Sequence, residues 1–205
     1  MFRLVVASLA LVGASAFMGA PVGHRAAVKS SMSMSYEAEL GAQKPLGFWD
    51  PIGLVENVDQ ERFDRLRSVE LKHGRVSMLA VLGHIVTSNG IRLPGMISNS
   101  KELAFADVPT GLAAFSKLPA AGFWQIVLFC GALEILVMRD VTGLGEFPGD
   151  FRNGFIDFGW DKFSPEQKLQ KRAIELNNGR AAQMGILALM MHECVDGKPY
   201  IFFDL

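Results

Sequence analysis

Cysteine is almost missing. Cys130 and Cys194 are the only two in 205 residues, too few for a disulfide framework. Cys130 sits in an apolar stretch, where a thiol behaves as a small hydrophobe. No Cys/His spacing suits zinc, no Ser, His and Asp are arranged for nucleophilic catalysis, and no metal-hydrolase motif occurs. Gly143 and Gly145 followed by Gly149 imitate a phosphate loop, but no strand precedes them and Pro148 lies inside, so turn chemistry accounts for them. Basic runs are absent too. With a net charge of −1, nucleic acid is excluded as a partner. There is no Asn-x-Ser/Thr sequon. Charged residues make up only 20% of the chain, yet the continuous apolar runs reach only about 11 to 16 residues, short for a membrane span. These absences leave little room for an enzyme, and we expect none.

Apolar residues are plentiful instead, at 50% of the chain with a mean hydropathy of +0.24. The main signal is an internal repeat. Glu70-Leu71-Lys72-His73-Gly74-Arg75 returns 105 positions later as Glu175-Leu176-Asn177-Asn178-Gly179-Arg180, and each copy opens an apolar run. Charges inside membrane helices cost roughly 2.5–3.5 kcal/mol each, so they must be paired. At about 100° per residue, Gly74 falls about 40° from Glu70 and Arg75 about 140°. A partner helix would therefore meet the glycine, with Glu70 and Arg75 on either side. If the two copies cross at Gly74 and Gly179, Glu70 pairs with Arg180 and Glu175 with Arg75, and the glycines permit close approach. Replacing Arg180 would then leave Glu70 uncompensated. His73 and Asn178 lie outside this seam, with His84 and His192 further along the same flanks.

The doubled motif, with its crossed Glu–Arg pairs, resembles the signature of chlorophyll-binding light-harvesting antenna proteins. The NNGRAAQMG variant at 177–185 looks most like the fucoxanthin–chlorophyll a/c group. The resemblance runs from about Tyr36 to Asp204 and includes the GFWDPIGL segment at 47–54 and a weaker echo of it, DFGWDKFSPE, at 157–166. It implies an all-α membrane protein with three transmembrane helices, the first and third crossed about a pseudo-two-fold axis. It also implies that the protein binds chlorophyll a, chlorophyll c and fucoxanthin or a related carotenoid. Its partners would be sister antennae in oligomers, a photosystem core and thylakoid lipid.

The resemblance assigns chlorophyll magnesium to Glu70, His73, Gln125, Glu134, Glu175, Asn178 and His192, with Arg75 and Arg180 as the charge lock; helices that diverge beyond their crossing leave room for a further pigment at Gln183. Chlorophyll magnesium takes one axial donor, which His, Asn, Gln or carboxylate can supply. Gln125 lies one position from the family's usual glutamine. Gln125 and Glu134 are nine residues apart and so face opposite sides of one helix. Gln183 falls on the seam by its helical phase. His84 matches no family position and can equally sit at the membrane edge.

The helices expected are about 61–88, 122–138 and 164–193, the first stopped by Asn89-Gly90 and the third opened by Ser164-Pro165. With the paired charges inside the span, the first and third are long enough to cross; the second is marginal. A short interfacial helix is expected near 112–118. Lys and Arg gather at Arg62, Arg65, Arg67, Arg139, Arg152, Lys162, Lys168, Lys171 and Arg172. This places the N-terminus on the positive side, the stroma if the membrane is a thylakoid, and the C-terminus in the lumen. Residues 1–16 read as a signal peptide, with Arg3, an apolar core and Ala14-Ser15-Ala16. Residues 17–35 read as a transit-like segment, basic and without an acid. Together they resemble the bipartite presequence of a plastid bounded by extra membranes, leaving 36–205 as the antenna domain. Two other functions stay open on the sequence: a photoprotective relative that dissipates excitation, using acids such as Glu102, Asp107, Glu193, Asp196 and Asp204, and a small intramembrane ion transporter.

Overall fold

The computed structural model describes residues 36–56, 58–143, 145–154, 157–198 and 200. The expected signal and transit segments, and Asp204, lie outside these residues. Three long helices dominate: α1 Gln60–Ser88, α3 Ala120–Leu136 and α4 Pro165–Asp196, with a short α2 at Ala114–Lys117. Each boundary has a local cause. Asn89 ends α1 and Gly90 follows at φ 75°. Pro119 occupies the N-cap of α3, so the helix begins and ends two residues earlier than expected. Ser164 and Gln167 form a reciprocal capping box at the start of α4, with Pro165 at its first position, where the missing N–H costs nothing. Beyond the expected end at 193, α4 runs on to Asp196, where Gly197 at φ 68° closes it, the left-handed cap that glycine adopts freely.

α1 and α4 cross at the repeated glycines. A Cβ built on Gly74 would lie 2.9 Å from the Gly179 Cα, and one on Gly179 would lie 3.0 Å from the Gly74 Cα. Backbone therefore touches backbone. Leu71 and Leu176, the residues after the two glutamates, are buried beside the crossing. The N-terminal segment is tied down as well: Tyr36 stacks on Phe63 of α1 at 4.1 Å between ring centres and donates its hydroxyl to the Val58 carbonyl.

The all-α expectation needs one correction. Met96–Ser98 and Leu103–Ala104 pair as a small antiparallel hairpin, its turn made by Asn99 to Glu102, with Glu102 at φ 50°. The expected interfacial helix is a 3-10 turn at Gly111–Ala113 followed by α2.

Among the described residues no single helix is long and apolar enough to cross a membrane. The segments Gly111–Lys117 and Ala120–Leu136 meet that measure only together, and they are bent by 115°. The reasons are physical. With 29 and 32 residues, α1 and α4 extend about 43 and 48 Å, but the repeated charges interrupt their apolar runs. α3 is apolar but has 17 residues, about 26 Å of helix. It contains no buried residue, and Leu79, Leu128 and Met184 are each about 70% exposed. The chain taken alone has little core and large uncovered apolar faces.

Gly74→Ala and Gly179→Ala each push backbone against backbone and should lower the thermal midpoint in detergent, by the equivalent of about 1–3 kcal/mol. Gly131→Ala, where an added Cβ meets nothing within 4 Å, should leave the midpoint unchanged or raise it slightly through helix propensity. Circular dichroism melts of the three variants make the comparison, and equal effects at all three positions would contradict the crossing.

Candidate functional site

The glycine contact brings four charges within reach of each other. Arg75 Nε donates to Glu175 Oε1 at 2.6 Å, and Arg180 Nε donates to Glu70 Oε1 at 2.7 Å. Each arginine makes a second tie that the repeat did not reveal. Arg75 Nη1 donates to the Gly149 carbonyl at 2.7 Å, and Arg180 Nη1 to the Gly41 carbonyl at 2.8 Å. Each guanidinium thus joins a glutamate across the crossing to a loop. Gly149 is the position that needs glycine, while a side chain at Gly41 would displace the arginine ends gathered there. A Cβ at Gly41 would come within 2.6 Å of the Arg67 guanidinium. Gly149 has φ 90°, and a Cβ there would press on Leu71 at 3.0 Å.

The symmetry stops at the next shell. Arg67, one turn before Glu70, donates Nη1 to Glu70 Oε2 at 2.7 Å. Both oxygens of Glu70 are therefore held by arginines. Arg172 occupies the corresponding place before Glu175 in the repeat, but its guanidinium stacks on the Phe147 ring at 4.2 Å. Glu175 Oε2 is left without a hydrogen-bond partner among the described residues. Arg180 is consequently not the sole counter-charge of Glu70, which corrects the expectation that its loss strands that carboxylate. Arg67 was legible in the repeat arithmetic, since 67 and 172 are both arginine.

The remaining candidates fall into two groups. His73 is exposed on the outer flank of α1, and its ring Nδ1 donates to the Val69 carbonyl at 2.8 Å. A carbonyl can only accept, so the proton sits on Nδ1 and the Nε2 lone pair points away, the tautomer that suits a metal donor. Asn178 is exposed on the corresponding flank of α4. Gln125 is exposed on α3, where it borders a cavity of about 650 Å³ with Ile97 and Lys101.

The other three are partly engaged. Glu134 accepts from Lys72 of α1 at 2.5 Å through Oε2. Gln183 lies on the seam, where its Nε2 donates to the Glu70 carbonyl at 3.4 Å. His192 Nε2 meets Asp196 Oδ2 at 3.0 Å, one turn along. His84 donates from Nε2 toward the Tyr200 carbonyl at 3.1 Å. Glu193, read from the sequence only as one of several acids, is buried and accepts from the Leu112 N–H at 2.8 Å, holding the turn before α2 against α4.

The donors suit chlorophyll magnesium better than a bare ion. Among the described residues no three His, Cys, Asp or Glu gather as an ion cage. The donors without a partner among the described residues, Glu175 Oε2, His73 Nε2 and the Asn178 amide, stand singly, as an axial ligand must.

Between α3 and α4 the loop forms its own charge cluster. Asp150 is buried and accepts from Arg152 Nη2 at 2.6 Å. This guanidinium, despite the opposing effect of burial, holds the carboxyl at about 2, below its ordinary 3.8. Because the folded pKa is the lower one, the contribution is complete above pH 3.8 and disappears as pH falls through about 2. Asp150→Asn should therefore be less stable than the parent by about 2 kcal/mol above pH 4, with the difference closing toward pH 2. Thermal midpoints of both proteins across pH 7 to 2 measure it, and a pH-independent gap would refute the assignment.

The crossed pairs predict a ranking. Arg75→Leu removes the hydrogen-bonded counter-charge of Glu175 and should cost the most, several kcal/mol where lipid or pigment covers the pair. Arg180→Leu leaves Arg67 on Glu70 and should cost less. Folding yield of the two variants under identical conditions decides; equal losses would show that Arg67 does not support Glu70.

The same geometry lies inside a known sequence pattern. The family model described as "Chlorophyll A-B binding protein" matches residues 36–194, covering the crossing and all eight candidate ligands. The fucoxanthin-chlorophyll a-c binding protein F of Phaeodactylum tricornutum is 62% identical over 189 residues, covering 92% of this chain and 93% of the relative. Protein B of that name from Macrocystis pyrifera is 59% identical over 195 residues, 94% of this chain and 88% of the relative. Protein C from Macrocystis pyrifera is 56% identical over 206 residues, 98% and 94% respectively. The relatives are described as chloroplastic. With crossing, donors and loops all inside the matched region, the chain belongs to the chlorophyll a-b binding protein family, whose members are helical membrane proteins.

Proposed function

We propose that this chain is a light-harvesting antenna of the plastid that binds chlorophyll a, chlorophyll c and fucoxanthin and passes excitation to photosystems. The observation that carries the reading is the reciprocal Glu–Arg crossing at Gly74 and Gly179, with single donors facing outward, in a chain 56–62% identical to fucoxanthin-chlorophyll a-c binding proteins. The pigments supply absorption and excited states; the protein fixes their positions. Glu175, His73 and Asn178 are the residues best disposed to hold magnesium. Glu70, Gln183, Glu134 and His192 must share their donor atoms with existing partners, and Gln125 faces the hairpin cavity. The reaction involves no bond made or broken, so the protein is no enzyme. The names of the relatives favour neither the dissipating antenna nor the ion transporter.

Three spans fit this role, with α1 and α4 carrying their paired charges inside the bilayer and α3 as the shortest. The exposed apolar faces support the arrangement, and the excess of Lys and Arg near the starts of α1 and α4 supports a stromal N-terminus and a lumenal C-terminus. The membrane is then the thylakoid, reached through a presequence at 1–35. Sister antennae and a photosystem core are the partners that the uncovered α3 would meet.

The protein purified in mild detergent should show chlorophyll a, chlorophyll c and carotenoid absorption together; a folded protein without chlorophyll would end this reading. His73→Leu should lose about one chlorophyll per chain with assembly intact, because His73 lies outside the crossing. Pigment extraction and chromatography quantify the loss, and unchanged stoichiometry would remove His73 from the ligand set.

A further inference from the structure

α3 is an apolar helix with a single charge. Between Ala120 and Leu136, Glu134 is its one charged side chain. One turn to either side along the same face stand Cys130, Gly131, Val137 and Met138, so the neighbouring turns offer no counter-charge. It comes from α1 instead, where Lys72 Nζ donates to Glu134 Oε2 at 2.5 Å. Lys72 is equally short of anions on its own helix. Its neighbours one turn away are Ser68, Val69, Arg75 and Val76, and Arg75 is itself a cation, held by Glu175. Glu134 Oε1 has no hydrogen-bond partner among the described residues. In water a pair exposed by 37% and 44% would add little. With three spans in a bilayer, the same two charges have to be paired.

The repeat shows that this pairing belongs to one side of the crossing. Lys72 corresponds to Asn177 in the second copy. The Asn177 amide is neutral and donates to Gln43 Oε1 of the N-terminal segment. The two helices are nearly equivalent at Gly74 and Gly179, yet at this position α1 alone carries a cation. Lys72 therefore selects the flank on which Glu134 can be seated, and by taking Oε2 it leaves Oε1 for another bond. Glu175 divides its oxygens in the same way, with Oε1 on Arg75. A carboxylate bonded through one oxygen is held in orientation for a metal at the other. We propose that Lys72 is the positioning residue of Glu134: its ammonium neutralises the lone charge of α3 and commits the second carboxylate oxygen to a chlorophyll magnesium. This role rests on the antenna function above, with Glu134 among its ligands.

The test reconstitutes the full chain and its variants with chlorophyll a, chlorophyll c and carotenoid. It reads pigment stoichiometry, low-temperature absorption and the thermal midpoint. Glu134→Leu removes the donor and should lose about one chlorophyll per chain, together with its absorption band. Lys72→Met should lose the same chlorophyll and the same band, its affinity down by about tenfold or more. Lys72→Arg keeps the charge and should retain the pigment with the band shifted. The discriminating variant is Lys72→Met/Glu134→Gln. Glutamine is neutral and still a magnesium donor, so it needs no cation, and both the chlorophyll and most of the thermal midpoint should return. A lysine that merely tied α1 to α3 would be missed as much beside glutamine as beside glutamate. Full chlorophyll in Lys72→Met, loss of a chlorophyll that Glu134→Leu retains, or no recovery in the double variant would overturn the proposal. Where Lys72→Met fails to assemble, the double variant decides alone. Full chlorophyll in Glu134→Leu would remove Glu134 as a ligand and the proposal with it, leaving the antenna function intact. A parent protein without chlorophyll would instead end the antenna reading, so the two failures are distinguishable.

Discussion

Everything in this fold depends on two backbones touching at Gly74 and Gly179. The close crossing brings Arg75 and Arg180 to the opposing glutamates in bonds of 2.6 and 2.7 Å. At glycine contact the side chains span the gap, and four charges are removed as two pairs. The arginines then have donors left over, and these take the Gly41 and Gly149 carbonyls. One contact therefore fixes the crossing, neutralises the helices and anchors the loop that precedes each of them. In water an ion pair of this exposure would add little. Surrounded by lipid or pigment the same pair is indispensable, because leaving one partner alone costs several kcal/mol.

The pseudo-two-fold axis relates the backbones better than it relates the chemistry. Arg67 closes the second oxygen of Glu70, while Phe147 draws Arg172 away from Glu175. The cause is local: the loop before α4 carries an aromatic residue against Arg172, whereas the segment before α1 brings Gly41 and its carbonyl close to Arg67 and Arg180. Two glutamates that look identical in sequence thus differ as donors. One is a closed salt-bridge node, and the other, among the described residues, has no hydrogen bond to its second oxygen.

Sequence reasoning reached the crossing because its ingredients are periodic. Glu, Gly and Arg at fixed helical phase, repeated once, have few ways to be satisfied, and the geometry followed from about 100° per residue. Helix ends marked by Asn89-Gly90 or Ser164-Pro165 were legible for the same reason: their chemistry is local. What escaped depends on contacts between distant segments. Nothing near Gly41 or Gly149 announces a carbonyl aimed at an arginine more than 70 residues away. Lys72 and Glu134 are ordinary residues until α3 lies beside α1. The hairpin at Met96–Ser98 was missed because its strands are only two or three residues long, too short for period-two alternation to register. Gly197 was a readable stop for α4, passed over because the apolar run had already ended.

Few residues among those described are buried, so bound pigment would add cover that the chain itself lacks. Apart from Tyr36, Phe63, Leu71, Leu176 and Leu189, few apolar side chains are buried by the chain itself, and α3 is joined to α1 mainly through Lys72 and Glu134. A helix with no buried residue cannot be positioned by a hydrophobic core, since it contributes nothing to one. Its place must come from what fills the space between it and the crossed pair. A ligand that binds only the folded arrangement stabilises it by mass action, and each pigment added between α1, α3 and α4 covers apolar surface that the chain leaves open. The charge lock is completed by the polypeptide unaided. It supplies a rigid axis, and if the outward-facing donors hold pigment as proposed, they set where the apolar surface that the chain leaves open is covered.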